Sequence, residues 1–220
     1  MRSWKILDVK KFMNIMLCRE AFDTLLLAEA SITGGVSYVI DGHLTEDFYS
    51  EQELEEMGLA GERCTTYGRV RPICFEMIKG KRTPRSFQFV FLADSRLIGR
   101  ILEREGISMR PEDVANLSLN VRYHEGELYV TCGCTLRLFS MDRTLENAWA
   151  DRIGGFLKKQ EIAAEQRRSR PQPRDPPVLH EHQAVRKIQR KVDVVQHPDD
   201  GAVFLPRPLL QVGDQLGLVL

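Results

Sequence analysis

Lys79, Lys81, Arg82 and Arg85 crowd around Gly80 and Pro84, between the apolar stretches Cys74-Phe75-Glu76-Met77-Ile78 and Phe87-Gln88-Phe89-Val90-Phe91. Cations this close repel one another unless an anion or a carboxylate lies opposite. The chemistry this suits is binding of a phosphate, a nucleic acid or an acidic protein surface, with Thr83 and the Gly80 amide adding hydrogen bonds. Arg69 and Arg71, just upstream, are supporting candidates. The run is not a P-loop, because the glycine pattern and the Lys-Ser/Thr pair that reach a triphosphate are absent. The plainer reading is a solvated turn neutralised by the acidic stretch before it. From Asp41 to Glu62 there are eight acidic side chains and no Lys or Arg, and from Arg63 to Arg85 seven basic ones and one acid, Glu76. Two such blocks can pair within one molecule or between two.

Other reactive residues are weaker candidates. Cys132-Gly133-Cys134 puts two thiols on one face of a strand, but a zinc site needs two further ligands. Small apolar residues on a sheet face is therefore the favoured reading, with no metal and no cofactor expected. His43, between Asp41 and Glu46, and His124, beside Glu125, have the right chemistry for proton transfer but sit at expected turns. No nucleophile motif, carboxylate pair or dinucleotide fingerprint is present, so the reading leans away from an enzyme.

The elements that must carry the basic run follow from periodicity and capping. Asp8 caps a helix to Leu17. Leu25–Thr33 and Val36–Ile40 are strands joined at Gly34-Gly35, where both glycines are expected at positive φ in a two-residue turn. Ser50 and Glu53 form a capping box for a short acidic helix. Arg71-Pro72-Ile73 opens a helix with Pro in its first turn, ended by Gly80, a strand being the competing assignment. Ser86–Leu92 alternates Phe87, Phe89 and Phe91 as a strand, and Asp94 caps a helix that stops at Gly106. Leu117–Tyr123 and Leu128–Phe139 form a hairpin turning at Glu125-Gly126. Asp142 or Thr144 caps a closing helix with Leu145, Ala148, Trp149, Ile153, Phe156 and Leu157 inward. These elements predict an α+β domain over 1–160, with antiparallel hairpins packed in two layers against the first and last helices.

After Gln160 the composition changes. Seven of the ten prolines and three of the five histidines lie beyond it. Residues 161–220 are read as a Pro/Gln/Arg-rich tail, mostly disordered with one short helix over 184–194, or as a non-native extension that truncation at Lys159 would remove without loss of stability. Five cysteines at irregular spacing argue against a disulfide framework. The absence of a secretory signal and of an apolar span argues for the cytoplasm and against a membrane.

Ile6-Leu7-Asp8-Val9-Lys10-Lys11-Phe12-Met13, Phe22-Asp23, Ile40-Asp41-Gly42, Arg71-Pro72 and Ile78 to Pro84 resemble a small bacterial family of unknown function. Asn120-Val121-Arg122-Tyr123 and Leu145 to Trp149 fit the same pattern. The resemblance covers about residues 5–159 and departs at Gly34-Gly35, where the family has a bulkier, aromatic-containing stretch. It implies a domain and no activity. The residues themselves favour a non-catalytic binding module that uses the basic loop. The alternatives are an enzyme acting on a phosphorylated small molecule, with His43 or Asp41 as acid–base, and a homo-oligomer pairing acidic and basic blocks.

Overall fold

The computed structural model describes residues 1–137 and 140–168, so the expected helix over 184–194 and the rest of the tail beyond Arg168 lie outside the described residues. The strands are β1 (Arg2–Ile6), β2 (Leu26–Thr33), β3 (Ser37–Asp41), β4 (Ser86–Leu92), β5 (Val114–His124), β6 (Glu127–Leu136) and β7 (Ala164–Arg168). They form one antiparallel sheet in the order β3-β2-β4-β5-β6-β1-β7. The helices are α1 (Val9–Cys18), α2 (Glu51–Glu56), α3 (Tyr67–Ile78), α4 (Ser95–Glu105) and α5 (Thr144–Lys159). The expected α+β architecture is the one that forms.

Period-two alternation makes one sheet face apolar. Ile32, Phe87, Tyr123, Leu128 and Ile6 stand in one cross-strand row, and Ala30, Phe89, Val121, Val130 and Trp4 in the next. All ten are buried, and each large side chain among them stabilises the fold by roughly 1.5–3 kcal/mol. Phe12, Ile15, Met16 and Leu17 of α1, Leu97, Ile98, Ile101 and Leu102 of α4, and Trp149, Ala150, Ile153 and Leu157 of α5 belong to the same core. The opposite face carries the row Lys5, Tyr129, Arg122, Gln88 and Ser31, polar as a solvated face requires. At one end of that face, Leu54 and Met57 pack on Leu26, Ala28, Leu59 and Cys64.

Several local expectations are met. Asp8 and Asp94 accept from the amides of Lys11 and Leu97, and the Ser50–Glu53 capping box is complete. Gly106 ends α4 at φ 63°, and Glu125-Gly126 turn at φ 48° and 88°, both positive as in a type I′ hairpin.

Other expectations change. Gly34 and Gly35 are not at positive φ; the register pairs Thr33 with Ser37, so a three-residue loop closes this hairpin and no primed turn is needed. α3 starts four residues before the expected Arg71, which puts Pro72 inside it. A proline there deletes one backbone bond, at a cost of about 3 kcal/mol or more, and the helix survives because tertiary contacts hold both sides of the gap. At α5 the N-cap position is Arg143, and Asp142 instead accepts from the Thr144 amide at 2.8 Å.

β1 has no counterpart in the sequence reading, and it is the strand that inserts between β6 and β7. β7 carries the sheet beyond the compositional break at Gln160, and Ile162 is buried with the core. A cut at Lys159 therefore removes native structure. Comparing chains ended after Lys159 and after Arg168, the shorter should be less stable by at least about 2 kcal/mol, the usual cost of losing a buried Ile, as read by denaturant unfolding.

Candidate functional site

The basic loop leaves α3 at Lys79 and re-enters the sheet at Ser86. Its first residue is held by the helix: Lys79 N donates to Phe75 O at 2.8 Å. The Lys79 ammonium reaches Glu76 at 2.6 Å and lies 5.9 Å from the Phe75 ring centre. Its last residue is tied to two hairpins, with Arg85 N donating to Thr33 O at 2.8 Å and Arg85 O accepting from Glu125 N at 3.4 Å. A loop pinned at both ends presents its charges from a defined position.

Beneath it lies an open groove of about 580 Å³ between the β2–β3 hairpin and the end of α3. Ile32, Val36, Tyr38, Met77 and Ile78 make the apolar part of its lining, and Lys79, Arg82 and Arg85 the cationic part. Gly34 and Gly35 line the groove too, and neither Cβ position has a neighbour within 4 Å. The two glycines sit in the hairpin loop without positive φ and leave the groove open beside it. Among the described residues Lys81, Arg82 and Arg85 form no ion pair, and Lys79 pairs only with Glu76. No carboxylate of the acidic block pairs with this loop among the described residues.

Of the six residues singled out, Lys79, Arg82 and Arg85 converge on the groove, while Lys81 is exposed without lining it. Arg69 and Arg71 stand at the other end of α3, Arg69 about 15 Å from Lys79 along the axis at 1.5 Å per residue. Arg71 has its own partner: Nε and Nη2 grip the two Asp23 oxygens at 2.8 and 2.9 Å. That two-pronged pair, only about one-fifth exposed on each side, clamps α3 to the turn after α1 and raises the Arg71 pKa. The floor residues escaped the sequence reading. A signal existed in Val36-Ser37-Tyr38-Val39-Ile40, where apolar residues occupy both faces of a strand that has only one face to bury.

The other candidates resolve differently. His43 Nδ1 lies 2.6 Å from Asp41 Oδ1, and its backbone bridges to Cys64; neither His43 nor Asp41 lines the groove. His124 is exposed, 3.9 Å from Glu125. Cys132 and Cys134 share a face, opposite Leu119 and Leu117. Burial pushes the Cys132 thiol up to about 12 and raises that of Cys134, so both behave as small core residues. Burial likewise pushes Cys64 to about 11 and Cys74 to about 12. Among the described residues no group of three His, Cys, Asp or Glu is arranged to hold a metal ion, and no helix is long and apolar enough to cross a membrane.

A family model matches residues 15–165. The chain belongs to DUF5721, a family of unknown function. No curated protein and no solved structure matches it. The DUF5721 match takes in β2 to β6, the basic loop, the groove and Arg71–Asp23, and reaches into β7, while β1 precedes it.

Two outcomes check these assignments. Asp23→Ala should lower stability by about 1–3 kcal/mol as read by denaturant unfolding, because it strands a guanidinium that is only about one-fifth exposed. A thiol reagent at mildly alkaline pH should label exposed Cys18 rapidly in the native protein, with Cys64, Cys74 and Cys132 reacting only on unfolding; mass spectrometry of the labelled peptides reads this directly.

Proposed function

We propose that this protein is a non-catalytic binding module whose basic loop contacts an anionic partner. The observation that carries the reading is a cationic rim above an apolar floor, in which only Lys79 has a carboxylate partner among the described residues. Lys79, Arg82 and Arg85 line one groove, and Lys81 and Arg82 have no carboxylate partner among the described residues. A partner that supplies carboxylates or phosphates to the rim and apolar surface to Tyr38, Met77 and Ile78 fits both parts of the site. An enzyme acting on a phosphorylated small molecule would need an acid–base group within reach of the anion, and the groove lining includes neither His43 nor Asp41.

Binding of a fluorescent polyglutamate peptide and of a single-stranded oligonucleotide to the full chain, followed by anisotropy, tests the reading. Affinity for at least one probe should fall steeply as salt rises. Lys81→Glu with Arg82→Glu should abolish it, and Lys10→Glu, on the exposed face of α1, should not. Salt-independent binding, or none, overturns the proposal.

A further inference from the structure

The two edges of the sheet are built differently. β7 closes one side with Ala-Glu-Gln-Arg-Arg, the charged composition that keeps an edge from pairing with other chains. β3 closes the other with Ser-Tyr-Val-Ile-Asp, without Lys, Arg or Pro, and leaves Tyr38 40% and Val39 55% exposed.

The direction of the β3 backbone follows from hydrogen bonds on either side of β2. Gly42 N donates to Ala28 O at 3.0 Å across the hairpin, whereas Thr33 O accepts from Arg85 N at 2.8 Å on the β4 side. Bonded and non-bonded positions alternate in an antiparallel pair. Tyr38 and Ile40 therefore bond to β2, and Ser37 and Val39 turn their N–H and C=O groups outward. Among the described residues no backbone group meets those of Ser37 and Val39.

We propose that β3 pairs with β3 of a second copy of this chain, antiparallel about a two-fold axis at Val39, joining two seven-stranded sheets into one. The inference rests on the loop reading above and names the partner. In this register Val39 exchanges backbone hydrogen bonds with its counterpart, and Tyr38 of each copy stands against Ile40 of the other, so apolar side chains on both faces of the edge are covered. Charge selects a second copy as the occupant. The loop 79–85 flanks the Ser37 end of β3, and the segment 41–47 with Glu46 and Asp47 leads away from the other end. Antiparallel pairing brings the basic end of each copy beside the acidic end of the other and keeps like charges apart.

Sedimentation velocity of the full chain, over a wide concentration range at low and high salt, tests this. A species of twice 25.2 kDa should dominate at low salt and dissociate as salt rises. Val39→Pro removes an outward N–H that the hairpin does not use, so it should give a monomer with an unchanged far-UV spectrum. Val39→Lys should do the same without a backbone constraint. Arg82→Glu should weaken the dimer, and mixing it with Glu46→Lys/Asp47→Lys should restore association. A monomer under all conditions, or a dimer that survives both Val39 substitutions, overturns the pairing. If such a monomer still binds the anionic probes through Arg82, the loop reading stands alone. A dimer lost with Val39→Pro but indifferent to salt and to Arg82→Glu upholds the strand pairing and counts against the loop reading.

Discussion

The aromatic column of β4 is the interaction on which the remaining structure depends. Phe87 stacks on Tyr123 at 4.9 Å, and Phe89 and Phe91 lie parallel at 5.8 Å. Phe91 meets Phe22, which also touches Phe12 of α1 and Phe156 of α5. Tyr67, the first residue of α3, packs edge-on against both Phe89 and Phe91. Two residues of one strand, Phe89 and Phe91, thus locate α3 directly and, through Phe22, α1 and α5. Such contacts depend on ring geometry as well as area, so they set the helices' positions and not merely their side of the sheet.

The groove is a downstream consequence. Tyr67 and the Arg71–Asp23 pair hold the beginning of α3, and Cys74 is buried about two turns after Tyr67 at 3.6 residues per turn. Gly68 belongs to the same joint, since a Cβ there would come within 3.0 Å of the Asp23 Cβ. With the start of the helix held, its last turn is carried out over the β2–β3 hairpin. Met77 and Ile78 come down beside Tyr38, and the chain must then cross to β4 through the basic loop. Pro72 weakens the helix between two points that are already fastened.

Charge separation in the chain becomes spatial separation in the fold. The acidic helix α2 uses Leu54 and Met57 to sit on Leu26, Ala28, Leu59 and Cys64. Val90 and Leu92, which alternate with the phenylalanines, complete that patch, so it lies on the sheet face away from the main core. The basic loop lies against Met77, Ile78 and Tyr38 on the core-facing side, at the end of the sheet where β2 meets β4 through Arg85. The acidic helix and the basic loop thus lie on opposite faces of the sheet.

Local structure was legible wherever it rests on short-range chemistry. The Asp8 and Asp94 caps, the Ser50–Glu53 box, the Glu125-Gly126 turn and the β4 alternation each involve neighbours within four residues, and the side chains alone specify them. The family resemblance over about 5–159 likewise agrees with the match over 15–165. What required the fold were features made of residues distant in the chain. β1 and β7 are short and interrupted by charge, and they become strands because each completes the other's hydrogen bonds at an edge of the sheet. α3 extends back to Tyr67 and runs through Pro72 because Phe89, Phe91 and Asp23 hold its first turns, which no propensity scale contains. The sequence by itself determined that four cations are concentrated in one loop. Only the tertiary structure decided that three of them line an apolar groove and that Arg71 belongs elsewhere, because an ion pair forms with whichever carboxylate the packing brings within reach.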